Sequence, residues 1–154
     1  MPPTLASVAA LPQLGLRSLT GPIPDKTVMW VAVSELEDPT PFLEGGELLL
    51  TTGMRLTPAN AAGYVSRLVG RGVAGLGFAV GVIHDAVPGE LLAAARDQGL
   101  VLLEVPRPTP FIAVGKAVSR MLAAEWYEDV TRAFQAQRTL TRAALTGRNA
   151  LVAR

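Results

Sequence analysis

WVAVSELEDPTPFLEGGELLLTTG, residues 30–53, decides how this chain folds. Two short apolar runs, residues 28–33 and 47–51, each end in a polar loop marked by proline or glycine, and no catalytic constellation lies between them. Val28 to Val33 is β-branched and aromatic and is apolar on both faces, the pattern of a central strand in a parallel sheet covered on both sides. Asp38-Pro39-Thr40-Pro41 opens a turn or a single helical turn, and Gly45-Gly46 reverses the chain before the second strand.

Downstream, the same strand signal alternates with helical periodicity. Thr57-Pro58 reads as an N-cap followed by proline at the first helical position. Ala61, Ala62, Tyr64, Val65, Leu68 and Val69 then form one apolar face that Gly72 ends. Residues 75–80 make a third strand. Val87-Pro88 starts a second helix, with Leu91, Leu92, Ala94 and Ala95 on its face and Gly99 as its stop, and residues 100–105 make a fourth strand closed by Pro106. Upstream, Leu5, Val8, Ala9, Leu11 and Leu14 have near-helical spacing before Gly15, so a short N-terminal helix precedes the Gly21-Pro22 and Pro24-Asp25 loop. Strand, helix, strand, helix, strand is the order of an α/β fold, here a single domain with a mainly parallel sheet of about four or five strands flanked by helices.

From Phe111 the pattern stays helical as far as Gly147, too long for an ordinary globular helix. Val118, Leu122, Trp126, Val130 and Phe134 step by four, so one stripe packs on the sheet and then continues past it. Acidic Glu125, Glu128 and Asp129 precede Arg132, Arg138 and Arg142, an order that suits the helix dipole. A stripe that outlives its own domain pairs most simply with a copy of itself. A parallel coiled-coil-like homodimer contact is therefore expected around Val130 to Leu145, using Trp126, Val130, Phe134, Leu140 and Leu145. Residues 1–125 form the folded domain in this reading and 126–154 a helical linker. The uncapped apolar ending Ala150-Leu151-Val152-Ala153-Arg154 reads as a cut within a linker to a further, C-terminal half.

Composition narrows the function classes. The chain has 154 residues, enough for one well-packed core, and 49% of them are hydrophobic. Fourteen Lys and Arg against thirteen Asp and Glu leave a formal charge of +1, which gives little long-range attraction for nucleic acid. There is no cysteine and one histidine, His84, so disulfides, thiolate nucleophiles and His- or Cys-based zinc sites are excluded. No P-loop and no Gly-x-Ser-x-Gly elbow is present. No metal and no cofactor is implied. Neither a secretory signal nor an apolar run of about 18 residues occurs, so a cytoplasmic protein with no membrane role is expected.

Ligands of parallel α/β sheets gather where the strands end, which singles out a short set of residues. Thr51, Thr52 and Gly53 follow a strand directly, and their N–H and hydroxyl groups suit a carboxylate, a urea-like group or a purine edge, or alternatively cap the local backbone. Gly81, His84 and Asp85 lie after the third strand, where His84 is a ligand contact, a general base or a solvated loop residue. Glu35 and Glu104, both near strand ends, either face each other across a cleft or form ion pairs, with Arg17 and Arg107 at hand. Phe111, with Phe78 and Trp30, offers a stacking wall or ordinary core. Gly75-Leu76-Gly77-Phe78-Ala79-Val80-Gly81 has the wrong spacing for a dinucleotide loop, and its small residues suit close helix packing instead.

Residues 30–53 together with Gly72-Val73-Ala74-Gly75-Leu76-Gly77-Phe78 and Leu102-Leu103-Glu104-Val105-Pro106-Arg107-Pro108-Thr109-Pro110-Phe111-Ile112 resemble the N-terminal domain of the purine-catabolism-regulator (PucR-type) bacterial transcription factors. The resemblance runs from about residue 5 to about residue 125, in order. It departs at Ala32, where a histidine is common after Trp-Val. The resemblance implies an effector-sensing domain for purine or related nitrogen catabolism that meets DNA only through a helix-turn-helix in a missing C-terminal half. The alternatives are an interaction module with no small-molecule ligand, and a small purine- or ureide-processing enzyme using His84 or Glu104 as base.

Overall fold

The computed structural model describes residues 2–152, with side chains as far as Arg138. Five strands form one sheet: β1 (Arg17–Ser18), β2 (Trp30–Val33), β3 (Glu47–Thr51), β4 (Gly75–Ala79) and β5 (Leu102–Val105), in the order β1-β5-β4-β3-β2. β2 through β5 run parallel, and β1 pairs antiparallel with β5. The expected α/β sheet is thus present. The two-residue β1, which no periodicity announced, caps one edge.

The helices are α1 (Leu5–Ala9), α2 (Ala61–Arg71), α3 (Gly89–Gln98) and α4 (Phe111–Val152), with a 3-10 turn at Thr40–Phe42. Thr4 caps α1 through a reciprocal pair of bonds with Ser7. Gly72 and Gly99 end α2 and α3 in the left-handed conformation, at φ 80° and 76°, as the sequence predicts. The start of α2 differs. Thr57 and Asn60 exchange side-chain-to-backbone bonds, but the turn between them is not α-helical and the regular helix begins at Ala61.

Residues on β3 alternate between two cores. Leu48 and Leu50 join Leu103, Val105, Leu5, Val8, Val114 and Val118 on one face. Leu49 joins Leu76, Phe78, Leu102, Tyr64, Val65, Leu68, Leu91 and Ala95 on the other. The sheet is therefore a middle layer between α1 with α4 and α2 with α3. Each leucine taken from water contributes roughly 1.5–3 kcal/mol, which explains why β3 and β4 are buried along their whole length.

β2 is an edge strand and not a central one, with Trp30 and Val33 41% and 58% exposed. An apolar, β-branched run reports a half-covered strand as readily as a buried one, and strand order follows from the crossovers rather than from composition. Beyond β2 lies an open groove of about 720 Å³ against α4, lined by Trp30, Val31, Val33, Phe111, Gly115 and Ser119. Along α4, Val114 and Val118 are buried, while Trp126, Val130 and Phe134 are exposed. The side chains of Leu140 and Leu145, and the ending Ala153-Arg154, lie outside the described residues.

Two glycines distinguish packing from propensity. A Cβ on Gly77 would meet Leu50 Cδ2 at 2.5 Å and Val105 Cγ2 at 3.3 Å inside the core, whereas one on Gly70, in α2, meets nothing within 4 Å. Gly77→Ala is expected to lower stability by about 1–3 kcal/mol through overpacking. Gly70→Ala should raise it by about 0.4–1 kcal/mol through the unfolded state. Denaturant melts of both variants check the pair, and equal effects would contradict this packing.

Candidate functional site at the strand ends

At the end of β3 the apolar run gives way to Thr51-Thr52-Gly53, where the chain leaves the sheet. The carboxylate of Glu35, which follows β2, accepts from three of the donors presented there, while the Gly53 N–H donates to Thr51 Oγ1 at 3.1 Å. Thr51 Oγ1 donates to Oε1 at 2.6 Å, Thr52 Oγ1 donates to Oε2 at 2.6 Å, and the Thr52 N–H lies 2.9 Å from both oxygens. Burial is the largest single influence on Glu35 and opposes its ionisation. The bonds from the Thr51 and Thr52 hydroxyls and from the N–H groups of Thr52 and Met54 outweigh it together, so the carboxyl lies below its ordinary value of 4.5.

Tyr64, on α2, stands beneath this cradle. It is only 2% exposed, and its hydroxyl lies beside Thr51 without a hydrogen bond of normal geometry. Burial, with the nearby Glu35 charge adding to it, drives the ionisation of this phenol far above the ordinary tyrosine range. From the same helix, Arg67 Nη2 donates to the Glu37 carbonyl at 3.0 Å and its Nε lies 3.4 Å from Asp38, tying α2 to the loop that carries Glu35.

Gly53 adopts φ 76°, and a Cβ there would meet the Phe78 ring at 2.5 Å and His84 at 3.0 Å. His84 Nε2 lies 2.9 Å from the Gly53 carbonyl oxygen, which can only accept, so Nε2 carries a proton and donates. That nitrogen is committed to holding the loop and is not free to act as a base. The His84 carbonyl in turn accepts from the Gly81 N–H at 2.7 Å, and the His84 ring packs on Phe78 with centroids 5.6 Å apart. Beside His84 a pocket of about 260 Å³ opens between the entries to α2 and α3, lined by Leu56, Thr57, Pro58, Ala61, Asp85 and Leu91 among others.

Glu35, Thr51, Thr52, Gly53, Gly81 and His84 therefore converge. Glu104 and Phe111 do not join them. Glu104 sits on β5, with β4 and β3 between it and the Glu35 side of the sheet, and Arg17 Nε and Nη2 hold its Oε2 at 2.8 and 2.5 Å. The two carboxylates thus do not face each other across a cleft, because strand order separates them. Phe111 opens α4 on the opposite layer and lines the groove with Trp30, so it forms no stacking wall with Phe78, which is fully buried. Sequence reasoning missed Tyr64 and Arg67 as neighbours of the cradle. Tyr64 carried a signal, being a hydroxyl-bearing residue on an otherwise apolar helix face.

Residues 7–122 match the purine catabolism regulatory protein-like (PucR) family. The chain belongs to that family. It is 32% identical over 125 residues to the transcriptional activator PmfR of Paenarthrobacter nicotinovorans, a match covering 78% of this chain and 26% of the activator. The chain thus spans about a quarter of the length of that relative. Its fold is similar to part of the CBS and DRTGG domains of the regulatory region of Clostridium perfringens pyrophosphatase, a structure complexed with the activator diadenosine tetraphosphate. The TM-score is 0.50 at 14% identity, over 77% of this chain and 46% of that one. The family and the α/β fold thus each rest on a separate comparison. No helix among the described residues is long and apolar enough to cross a membrane.

The lowered Glu35 carboxyl makes stability depend on pH with a definite sign. Relative to Glu35→Gln, the wild-type advantage is complete above the ordinary carboxylate value and is lost as pH falls through the folded value. Thermal midpoints of the two proteins, followed from about pH 7 to about pH 3, should converge at the acid end. A gap that stays constant would mean that the ionised carboxylate contributes nothing to the fold.

Proposed function

We propose that this chain is the effector-sensing part of a PucR-type transcription regulator in the cytoplasm, controlling purine or related nitrogen-compound catabolism. The observation that carries the reading is the convergence of Glu35, Thr51, Thr52, Gly53 and His84 beside a small pocket at the carboxyl ends of the strands, where parallel α/β folds take ligands. Membership in a regulatory family supports it. The activator-bound pyrophosphatase region is a case of a similar fold serving regulation. DNA is reached through a C-terminal half beyond this sequence.

The effector acts by population shift, binding one arrangement of a homodimer better than the other and so re-aiming the DNA-binding halves. No step needs bond chemistry, and the commitment of His84 Nε2 to Gly53 counts against a catalytic base there. The exposed stripe of Trp126, Val130 and Phe134, continued in sequence by Leu140 and Leu145, is the dimer contact in this reading. The open groove between β2 and α4 favours a second reading, a pure interaction module.

A thermal-shift panel of purines, uric acid, allantoin, allantoate and amino acids separates the two. A ligand at 100 times its Kd adds about 2.7 kcal/mol, and a selective rise in midpoint of several degrees is expected. A flat response across the panel would favour the interaction module. For the dimer, removing the chain after Trp126 should give a monomer by light scattering, and a shortened protein that stays dimeric would take the contact off α4.

A further inference from the structure

We infer that the Thr51-Thr52 turn is an exchangeable carboxylate seat, held by Glu35 in the resting domain and taken over by the carboxylate of a small-molecule effector. This rests on the effector-sensing reading and adds the chemistry of the effector to it. The cradle presents two hydroxyls and the Thr52 N–H to two oxygens at 2.6–2.9 Å. No cationic side chain takes part in these bonds. Such a fork of neutral donors matches the two oxygens of a carboxylate.

The seat and its occupant come from different parts of the fold. Thr51 belongs to a buried strand and is 2% exposed, whereas Glu35 is half-buried on the loop after the edge strand, between Val33 and Leu36 at 58% and 46% exposure. Withdrawing Glu35 therefore moves a loop residue and leaves the buried strand in place. Glu47 provides the contrast: it is 1% exposed and accepts the Glu44 and Gly45 N–H groups at 2.7 and 2.8 Å, closing the turn before β3 with no route out.

A second observation points to a ligand. The buried Tyr64 hydroxyl lies beside Thr51 and makes no hydrogen bond of normal geometry. A buried hydroxyl left unbonded is costly, and a carboxylate without the tether of the Glu35 backbone is free to seat where it accepts from that hydroxyl as well. Once released, Glu35 lies on the loop that Arg67 already holds through the Glu37 carbonyl and Asp38, so its charge has a place to go. The exchange would also reach α4. Glu35 lies two residues after Val33, which lines the α4 groove with Trp30 and Val31.

The test vacates the seat by Glu35→Ala and adds sodium acetate or formate, with sodium chloride at equal ionic strength as control. Acetate is expected to raise the melting midpoint of the variant by several degrees in a saturable way, with no effect from chloride. Adding Thr52→Val should abolish the rise. Wild type should not respond at the same concentrations, because tethered Glu35 competes at a high effective concentration. An acetate response that is absent, or that survives Thr52→Val, overturns the seat. If Glu35→Ala does not fold, Glu35→Ser serves under the same criteria, since its short side chain likewise leaves the Thr51 and Thr52 donors open to acetate. A wild-type shift given only by neutral compounds such as allantoin overturns the carboxylate seat and leaves the sensor standing. Acetate binding to the variant without any hit in the panel supports the seat and counts against a purine-derived effector.

Discussion

Everything in this domain is arranged around the double-sided burial of β3. Leu48 and Leu50 face one layer of helices and Leu49 the other, and all three are fully excluded from water. A strand in that position has no polar face, so its neighbours must supply covering helices on both sides. The short connections from β3 to β4 and from β4 to β5 do so with α2 and α3, and α1 and α4 close the opposite face. Where the apolar run stops at Thr51, the backbone is still deep in the fold and its N–H groups need acceptors. The Glu35 carboxylate answers that need, and the candidate site is a consequence of how the central strand ends.

The same sheet has two unlike margins. On the β1 side, a two-residue antiparallel strand and the Arg17–Glu104 ion pair finish the edge. On the β2 side, the edge stays half-open beside α4, with Trp30 and Val33 exposed over a groove. The loop that delivers Glu35 to the strand ends leaves from this open margin. Only a few residues of β2 and the loop after it separate the cradle from the groove along α4.

Much of this was legible beforehand. Glu47–Thr51 was readable as a strand because Gly45-Gly46 and Thr52-Gly53 bracket an unbroken leucine run, and the ends of α2 and α3 were readable because Gly72 and Gly99 must be left-handed. Glu35, Thr51, Thr52, Gly53 and His84 could be nominated from their places after strands. Glu104 fitted the same rule and was misplaced, since the rule is blind to which strands are neighbours. Phe111 was misplaced for a related reason: a helix that begins near a strand end can still lie on the far layer of the sheet. β1 was invisible because two residues carry no period, and its pairing with β5 depends on contacts made far along the chain.

The sequence by itself determined the elements other than β1, the α/β class and the family, because local periodicity, glycine conformations and ordered blocks of residues are properties of the chain read in one dimension. Tertiary structure alone decided that β2 is an edge, that the donors of Thr51 and Thr52 are spent on Glu35, and that Tyr64 lies beneath them. Those facts depend on strand order and on which side chain arrives first at an unsatisfied donor, and both are settled by contacts between residues distant in the chain.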